Sequence, residues 1–249
     1  MPSTLIIGGA GQLARLITAR FISKNWTVHS LIRNEAQVES LTSLGAHPIV
    51  QSLTSASVAE LASTIRKLTP DIIVFSAGAG AGAGENPELI KQIDQDGAIK
   101  TFDAMVDAGT TARLILISAL DVRDRSKPAP EWYDEMDIAA SEQLWGAIEP
   151  YMKHKLAADS ELVSRRGLAY TIVRPNWYHE AEGTGLVECG RPHIVKSVAR
   201  KDVAAVVVAC AENEGTAGLA FDVVGGDQPV DEAVAKVARE NIDAFKGLY

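Results

Sequence analysis

Short apolar runs and helical patterns alternate along almost the whole chain. Each run is rich in Ile, Leu and Val and has the length of a β-strand that is covered on both faces. Between the runs, apolar residues recur at the spacing of a helix with one buried side. Strands that alternate with helices form a parallel sheet with helices on both faces. The predicted strands are Thr4–Ile7, Thr27–Ile32, His47–Leu53, Asp71–Phe75, Leu114–Ser118, Tyr170–Arg174 and Ala220–Val224.

Local signals mark several helix ends. Ser57 and Glu60 predict a capping box, Asn86-Pro87 predicts a helix start, and Gly109 predicts a helix end. The chain shows no internal repeat and no interdomain linker. We therefore expect one α/β domain over residues 1–249, with a doubly wound, mostly parallel sheet of about seven strands.

Two segments interrupt the alternation of strands and helices. Residues 121–137 are charged and carry two prolines, which predicts an exposed excursion with Asp121 and Asp124 on a solvated face. Residues 176–192 are rich in Gly, Glu and aromatic residues and predict an irregular lid or substrate wall. We expect substrate loops at about 119–148 and 176–199. A tract of alternating Ala and Gly, Ala79 to Gly84, could approach a cofactor closely or form a loop tip.

The first strand leads directly into a glycine-rich turn and a helix, in the sequence Gly8-Gly9-Ala10-Gly11-Gln12-Leu13-Ala14. A helix that begins here directs its unpaired N–H groups and the positive end of its dipole at the turn, which favours an anion. Gly8 would permit the sharp turn, and Gly11 would let a pyrophosphate approach the backbone. The order of strand, glycines and helix favours nucleotide binding over a turn without a ligand.

Arg33 follows the second predicted strand. In a dinucleotide-binding fold, an acidic residue at the end of this strand binds the ribose 2′-hydroxyl, whereas an arginine accommodates a 2′-phosphate. Arg33 therefore predicts NADP(H) rather than NAD(H), with Glu35 as the acidic residue nearby. A solvated surface arginine is the alternative interpretation.

Tyr151 and Lys155 are four residues apart in a predicted helix, so their side chains leave the same face. A lysine cation beside a tyrosine favours the phenolate and lowers the pKa of the phenol, which could then exchange a proton with a substrate oxygen. Ser118, at the carboxyl end of the fifth predicted strand, could hydrogen-bond the same oxygen. A surface tyrosine beside a solvated lysine is the alternative.

Composition limits the possible partners. The formal net charge of −8 disfavours a nucleic-acid or anionic-membrane surface, and no apolar run is long enough to span a bilayer. Cys189 and Cys210 show no metal-ligand spacing and no disulfide framework, and the histidines suggest no metal site. We expect a cytoplasmic protein without a metal, acting as a monomer or homodimer on a small molecule.

Several motifs resemble the short-chain dehydrogenase/reductase superfamily, most closely its atypical NAD(P)-binding branch, which is similar to flavin/biliverdin reductases and nitrogen-metabolite repressors. They occur in order along nearly the whole chain, and the stretch from Tyr151 to Pro175 is the most specific. The motifs are the glycine turn, Arg33-Asn34, Ser76-Ala77-Gly78, Leu116-Ile117-Ser118, Tyr151 to Lys155, Tyr170 to Pro175, and Arg200 to Ala204.

The resemblance implies a Rossmann-type fold with a nicotinamide cofactor across the carboxyl ends of the strands. It implies that Lys155 also bonds the nicotinamide ribose and that Pro175 borders the nicotinamide ring. Ser52-Leu53 replaces the acid that usually touches adenine, and Asp94 stands near the place of a catalytic-region asparagine. The cofactor residues so assigned are Gly8, Gly11, Gln12, Leu13, Arg33, Ser52, Leu53, Ala77, Gly78, Lys155 and Pro175.

Function follows from these assignments as three hypotheses. The first is an NADP(H)-dependent oxidoreductase that reduces a carbonyl or conjugated bond of a small organic molecule, with Ser118, Tyr151 and Lys155 as catalytic residues. The second is an NADP(H)-binding regulatory or sensor protein without turnover, and the third is a cofactor-dependent isomerase or epimerase. Candidate substrate contacts after Pro175 are Trp177, Tyr178 and His179.

Overall fold

The computed structural model of the chain describes residues 1–79 and 86–247 and is built around a nine-stranded sheet. Parallel pairing joins seven of these strands, which include all the strands predicted from the sequence. The strands are β1 (Ser3–Ile7), β2 (Thr27–Ile32), β3 (His47–Val50), β4 (Ile72–Phe75), β5 (Arg113–Ile117), β6 (Tyr170–Pro175), β7 (Tyr178–His179), β8 (Leu186–Gly190), β9 (Val198–Ala199), β10 (Leu219–Gly225) and β11 (Gln228–Pro229).

The sheet order is β11-β8-β10-β6-β5-β4-β1-β2-β3, and β7 and β9 pair separately. Helices follow the parallel strands and bury the apolar side chains of both sheet faces in two large clusters. This is the doubly wound Rossmann arrangement that the alternating pattern predicts. The helices are α1 (Gln12–Ser23), α2 (Val38–Ser43), α3 (Val58–Leu68), α4 (Pro87–Ile90), α5 (Gly97–Ala108), α6 (Glu135–Ser164), α7 (Arg200–Glu212) and α8 (Val230–Glu240).

The helix-end signals in the sequence are confirmed. Ser57 and Glu60 form both hydrogen bonds of a capping box at the start of α3. The Asn86 side chain accepts from the Leu89 N–H at the start of α4, where Pro87 is the first helical residue. Gly109 ends α5 with a φ of +61°, in the left-handed region that glycine adopts without strain.

The sequence suggested that residues 176–192 are irregular, but part of this segment is a β-strand. Residues 186–190 form β8, which pairs antiparallel with β10 through contacts such as Val223 with Cys189. β8 therefore extends the sheet beyond its parallel strands. Two hydrogen bonds also hold this segment to α7: the Thr184 and Gly185 N–H groups both donate to the buried Asp202 carboxylate.

The predicted substrate loop at 119–148 is also partly helical, because α6 begins at Glu135. The solvated face predicted for Asp121 is wrong. Its side chain is fully buried, pairs with Arg123 at 2.8 Å, and accepts hydrogen bonds from Tyr133, Ser141 and Trp145. These bonds fix the excursion to the body of the domain.

The carboxyl ends of β1, β4, β5 and β6 lie side by side, because Ile7 pairs with Phe75, Phe75 with Leu116, and Ile117 with Val173. The glycine turn after β1 and Ser118 after β5 therefore share one edge of the sheet, where open α/β sheets bind ligands. Apart from Ala79, the predicted Ala-Gly loop lies outside the described residues. Within residues 1–79 and 86–247, no helix has the length and apolarity to cross a membrane.

Candidate functional site

Packing of the chain itself requires two glycines of the turn after β1. Gly8 has a φ of +81°, and a Cβ atom there would lie 2.6 Å from the Ala77 Cα. A Cβ on Gly9 would lie 2.6 Å from the Ser30 Cβ. The Gly8 and Gly9 N–H groups both donate to the Leu31 carbonyl at 3.1 Å, which ties the turn to the end of β2.

Gly11 differs, because the surrounding protein leaves room for a side chain. Its φ of −63° suits any residue, and the nearest atom to an added Cβ is the Gly8 carbonyl oxygen at 3.4 Å. Gly11 is the N-cap of α1 and has no side-chain cap, so the first-turn N–H groups need an outside partner. Gln12 is exposed, whereas Leu13 is buried. This open, positively polarised space fits the pyrophosphate of a dinucleotide.

Arg33 lies exposed directly after β2. Among the described residues, its side chain has no hydrogen-bond or ion-pair partner. Arg15 lies in the same region, where its guanidinium donates to the Ala10 carbonyl at 3.1 Å and to the Ser40 hydroxyl at 3.0 Å. Arg15 thereby bridges the glycine turn and the segment after β2, which places a second cation near the turn.

Other residues assigned to the cofactor follow β3, where Ser52-Leu53 stand at the adenine position, and β4. The Ser52 hydroxyl is within hydrogen-bond distance, 3.0 Å, of the Thr54 hydroxyl, and the Leu53 carbonyl accepts from Lys100 at 2.8 Å. Leu53 packs its buried side chain where a Cβ on Gly97 would otherwise fit. Ala77 packs its backbone on Gly8. Gly78 is exposed and lies beside Asp94, which belongs to the part of the site around Tyr151 and Lys155.

The predicted Tyr151–Lys155 pair is held on α6, immediately after a kink. Ile148 leaves helical geometry and Pro150 follows it, so Tyr151 begins the second part of the helix. The Lys155 ammonium lies 5.6 Å from the centroid of the Tyr151 ring. It also donates to the Ile117 carbonyl at 3.2 Å, which fixes the pair at the carboxyl end of β5.

Asp94 is the ion-pair partner of Lys155. Their Oδ1 and Nζ atoms are 3.1 Å apart, and the side chains are only 1% and 5% exposed. Asp94 lies in a π-helical stretch, Lys91–Asp96, and its other oxygen accepts from the Ala79 N–H at 2.9 Å. A π-helical turn re-aims side chains and often marks a functional site. Two Lys155 donors are thus engaged, which leaves a third for a ligand.

The pKa of Tyr151 is not lowered overall, contrary to the sequence-based expectation. Burial of the phenol raises this pKa, Lys155 opposes the rise, and Asp94 and Asp159 add to it. Burial alone would lower the pKa of Lys155, but Tyr151, Asp94 and Asp159 together raise it. The lysine is therefore a permanent cation whose charge is largely balanced by Asp94, and Tyr151 is a neutral phenol in the free protein.

Ser118 donates its hydroxyl hydrogen to Asp159 at 2.6 Å. Both residues are buried, at 3% and 0% exposure, and Asp159 lies one helical turn beyond Lys155. Burial raises the pKa of Asp159 to about 6, while Ser118, Arg174 and Lys155 lower it. The predicted catalytic serine is therefore backed by a carboxyl group whose protonation changes near neutral pH.

A second buried ion pair lies behind Asp159. Arg174 of β6 and Asp222 of β10 are direct cross-strand neighbours, with Nε and Oδ1 2.9 Å apart. The Arg174 guanidinium also stacks over the Phe245 ring at 4.8 Å. Burial raises the pKa of Asp222 to about 6, with Arg174 opposing the rise. Two buried ion pairs, Lys155 with Asp94 and Arg174 with Asp222, therefore lie close to Tyr151 and Ser118.

Comparison with known proteins identifies the family to which the fold belongs. The family described as NAD(P)H-binding matches residues 8–214 of the chain, from the glycine turn to the end of α7. This chain belongs to the NAD(P)H-binding family. The resemblance to atypical short-chain dehydrogenases/reductases is confirmed, and the family implies a nicotinamide cofactor for this NAD(P)H-binding protein.

Relatives of this NAD(P)H-binding protein cover nearly its whole length. It is 35% identical to UPF0659 protein C216.03 of Schizosaccharomyces pombe, over 93% of each chain. It is 31% identical to YhfK of Bacillus subtilis, named as an uncharacterised sugar epimerase, over 93% of this chain and 98% of that one. A solved Bacillus halodurans protein, named for the NAD-dependent epimerase/dehydratase class, has a TM-score of 0.75 at 28% identity and covers 95% of this chain and 100% of that one.

The residues at and after the end of β6 differ in their burial and in how close they lie to Tyr151 and Lys155. Pro175 is buried at the end of β6, while Trp177 is 57% exposed and His179 is exposed. Tyr178 lies close enough to interact electrostatically with Tyr151 and Lys155, and its pKa is raised by burial and by Tyr151. The Arg200 guanidinium stacks over the Tyr178 ring at 4.9 Å. Of the three candidate substrate residues, Tyr178 lies by the Tyr151–Lys155 pair.

Four neighbours of the site are not predicted from the sequence: Arg15, Asp159, Arg174 and Asp222. A signal for Asp159 exists, because it follows Lys155 by the same four residues that separate Lys155 from Tyr151. Asp94 was noted only for its position, without its ion pair.

One cluster outside the site has the composition of a metal centre. Asp134, Asp137 and His193 lie with ligand-type atoms within 4.8 Å of one another. These side chains already form hydrogen bonds within the protein. The two carboxylates form the capping box of α6, and the His193 Nδ1 atom lies 2.6 Å from Asp137 Oδ2. The hydrogen bond to Asp137 raises the pKa of His193. The cluster therefore fixes the start of α6 to residues 193–194.

Proposed function

We propose that the protein is an NADP(H)-dependent reductase of a carbonyl or conjugated double bond in a small organic molecule, with Tyr151 as proton donor. The observation that carries this proposal is the position of the Tyr151–Lys155 pair at the carboxyl end of β5. The glycine turn with its open helix N-terminus lies along the same sheet edge. A dinucleotide bound at that turn can extend along the edge towards Tyr151.

Residues of this chain supply most of the binding contacts in the proposal. The first-turn N–H groups of α1 hold the pyrophosphate, and Gly11 provides the space for it. Arg33 binds the 2′-phosphate of the adenosine ribose. The free Lys155 donor bonds the nicotinamide ribose, and Pro175 borders the ring.

A reduced nicotinamide supplies the hydride when bound. Tyr151 then donates its phenolic proton to the substrate oxygen on which negative charge develops. The Lys155 cation stabilises the resulting phenolate, and the buried, low-dielectric surroundings strengthen that interaction. Tyr178 forms an apolar wall beside the reacting group. The substrate is small and at least partly apolar, and the protein acts in the cytoplasm as a monomer or homodimer.

The test follows NADPH oxidation over a panel of aldehydes, ketones, quinones and enones. Tyr151→Phe keeps the ring and removes only the proton donor, so it should retain NADPH affinity and lose about 10²–10⁴-fold in turnover. Tyr170→Phe, at the opposite end of β6, is the matched control and should turn over like the wild type. Equal rates for Tyr151→Phe and wild type would contradict the donor role. Tight NADPH binding without oxidation on any compound would favour the sensor hypothesis.

Cofactor preference is tested by calorimetric titration with NADPH and NADH. We expect several-fold tighter binding of NADPH, and Arg33→Ala should remove most of the difference, because an arginine–phosphate bond contributes on the order of 1.5–3 kcal/mol. Arg20→Ala, another exposed arginine at the far end of α1, is the control and should bind both cofactors like the wild type. Equal or tighter NADH binding by the wild type would contradict the assignment.

A second candidate function is an epimerase acting on a sugar, because one relative is named as a sugar epimerase and another for the epimerase/dehydratase class. Such an enzyme oxidises and re-reduces one substrate with a cofactor that stays bound, so no net NADPH oxidation occurs. Incubation of the protein with sugar nucleotides and sugar phosphates, followed by NMR of the recovered sugars, tests it. Inverted stereocentres without cofactor consumption would replace the reductase proposal, and unchanged sugars would remove this candidate.

A further inference from the structure

The hydrogen bond between Ser118 and Asp159 determines whether Ser118 can donate to a substrate. Ser118 has one hydroxyl hydrogen, and in the structure it points to Asp159 across 2.6 Å. That distance is typical of a charge-assisted bond to an ionised carboxylate, which can only accept. While Asp159 is ionised, Ser118 therefore presents lone pairs to a substrate. A substrate oxygen that gains negative charge needs a donor instead.

Asp159 lacks a cation of its own. The nearest lysine, Lys155, pairs with Asp94 at 3.1 Å, and Arg174 pairs with Asp222 at 2.9 Å. Among the residues that the structure describes, no ion pair joins Asp159 to a cation, and its Oδ1 atom is buried without a hydrogen-bond partner. A buried carboxylate whose neighbouring cations are already neutralised takes up a proton readily.

We infer that Asp159 is a positioning residue whose protonation state reverses the Ser118 hydroxyl, so that Ser118 donates to the substrate oxygen only when Asp159 is protonated. This inference rests on the proposed reductase function. In the protonated state, the Asp159 Oδ2–H group donates to the Ser118 oxygen, and the Ser118 hydrogen turns towards the substrate. The proton that forms the Asp159 Oδ2–H bond comes from the solvent, and otherwise only hydrogen bonds change in this step. Ser118 then complements Tyr151, which transfers the proton.

The direction of the pH effect follows from the surroundings of Asp159. The groups that face it are the Ser118 hydroxyl from the end of β5, Arg174 from β6, and Lys155 and Tyr151 from its own helix. Both cations oppose protonation, while burial favours it and raises the pKa of Asp159 to about 6. The state in which Asp159 is protonated and Ser118 can donate to the substrate is therefore populated below about pH 6 and is lost as the pH rises through that value.

The decisive variant is Asp159→Asn, which is nearly isosteric. Its amide oxygen can face Arg174 while its NH₂ group donates to Ser118, so the variant mimics protonated Asp159 at every pH. We expect wild-type turnover to fall above about pH 6, and Asp159→Asn to lose this fall and exceed the wild type about tenfold at about pH 8. Ser118→Ala should be slow at every pH, and adding Asp159→Asn to it should change nothing. A purely structural role would alter melting temperature without changing the pH profile.

Asp222→Asn is the matched control, because Asp222 is also a buried carboxyl beside Arg174, with a pKa raised by burial to about 6. This variant should keep the fall in turnover but move it to lower pH, because Arg174 without Asp222 stabilises the Asp159 carboxylate more strongly. An Asp159→Asn protein with the wild-type pH profile would overturn the inference.

A measurement on the cofactor-free chain separates this inference from the reductase proposal. Infrared spectra of the full chain between about pH 5 and pH 8 should show a protonated carboxyl that titrates near neutral pH. Asp222, whose pKa is also about 6, should contribute to the same band. Part of the band should therefore be lost in Asp159→Asn, the other part in Asp222→Asn, and all of it in the double variant. Absence of the band from the wild type, or an unchanged band in Asp159→Asn, would overturn the inference even if the protein proves to be a reductase. If the band behaves as expected while no compound is reduced, the reductase proposal alone fails.

Discussion

The glycine turn after β1 and the charged cluster behind Ser118 offer a ligand different kinds of contact. At the turn, backbone N–H groups face open space and the only side chain at Gly11 is a hydrogen atom. Behind Ser118, the contacts come from side chains that are buried and charged, including Lys155 with Asp94 and Arg174 with Asp222. The turn binds through geometry, whereas the cluster acts through electrostatics in a low-dielectric interior.

This difference gives the two regions different sensitivities. A backbone anion site depends on close approach, so an added methyl group blocks it while the fold survives. A buried charge cluster depends on balance, so removal of one partner leaves an uncompensated charge in the interior. Substitutions in the turn should therefore separate binding from stability, whereas substitutions in the cluster should couple stability, pH dependence and turnover.

The largest expected effect comes from Arg174→Met, which removes the buried cation between Asp222 and Asp159. At about pH 7.5 the free energy of unfolding should fall by about 3–5 kcal/mol, because the variant leaves Asp222 without its ion-pair partner and removes a cation that also acts on Asp159. The loss should shrink towards about pH 5, since both groups, with pKa values of about 6, are then protonated and need no cation. Urea denaturation at both pH values measures the change.

Arg165→Met is the control for that experiment. Arg165 also has two acidic partners, Asp103 and Glu161, but it is only partly buried and the side chains of the two acids are 44% and 43% exposed. Loss of these partly screened pairs should cost about 1 kcal/mol or less. Equal losses for the two variants, or a loss at Arg174 that does not depend on pH, would contradict the charge-balance argument.

The next effect distinguishes two glycines of the same turn. Gly8→Ala should destabilise the fold by roughly 2–4 kcal/mol, because the residue has a positive φ and a Cβ would clash with Ala77. Gly11→Ala should leave the unfolding free energy within about 1 kcal/mol of wild type and weaken NADPH binding by about tenfold or more. Denaturation and calorimetry on both variants provide the measurements. Wild-type affinity in Gly11→Ala would place the pyrophosphate elsewhere.

The smallest expected effect is a change in the ionisation of Tyr151. Asp94→Asn removes a carboxylate that raises the pKa of Tyr151 and leaves the Lys155 charge less balanced, so this pKa should fall. Phenolate absorbance during an alkaline titration, with Tyr151→Phe as the reference, detects the change. Asp96→Asn is the control, because Asp96 pairs with the exposed Lys91 in the same π-helical stretch. No difference between the two asparagine variants would mean that Asp94 does not control the phenol.

The sequence predicts the turn well because its information is local. Strand, glycines and helix follow one another within a dozen residues, and the parallel strands each carry their own apolar run. β8 could not be predicted in this way, because Leu186–Gly190 is a strand only through its pairing with β10. The burial of Asp121 likewise depends on Arg123, Tyr133 and Trp145 reaching it in the folded chain.

The charged cluster is assembled from distant parts of the chain. Arg174 faces Asp222 only because β10 lies beside β6 in the sheet, and the sequence does not reveal that strand order. Lys155 meets Asp94 through a π-helical turn that residue spacing does not predict. The expected fall in the pKa of Tyr151 failed mainly because burial of the phenol raises this pKa, and also because spacing revealed the lysine but not Asp94, which adds to the rise.

A crystal structure with bound NADPH tests the central claim most directly, because it relates the turn to the Tyr151–Lys155 pair in one measurement. We expect the pyrophosphate at the first-turn N–H groups of α1 beside Gly11, the 2′-phosphate on Arg33, and the nicotinamide ribose bonded to Lys155 with the ring facing Tyr151. A cofactor bound at the turn whose nicotinamide ring lies away from Tyr151 would contradict the reductase proposal. A cofactor bound anywhere other than the glycine turn would contradict the account as a whole.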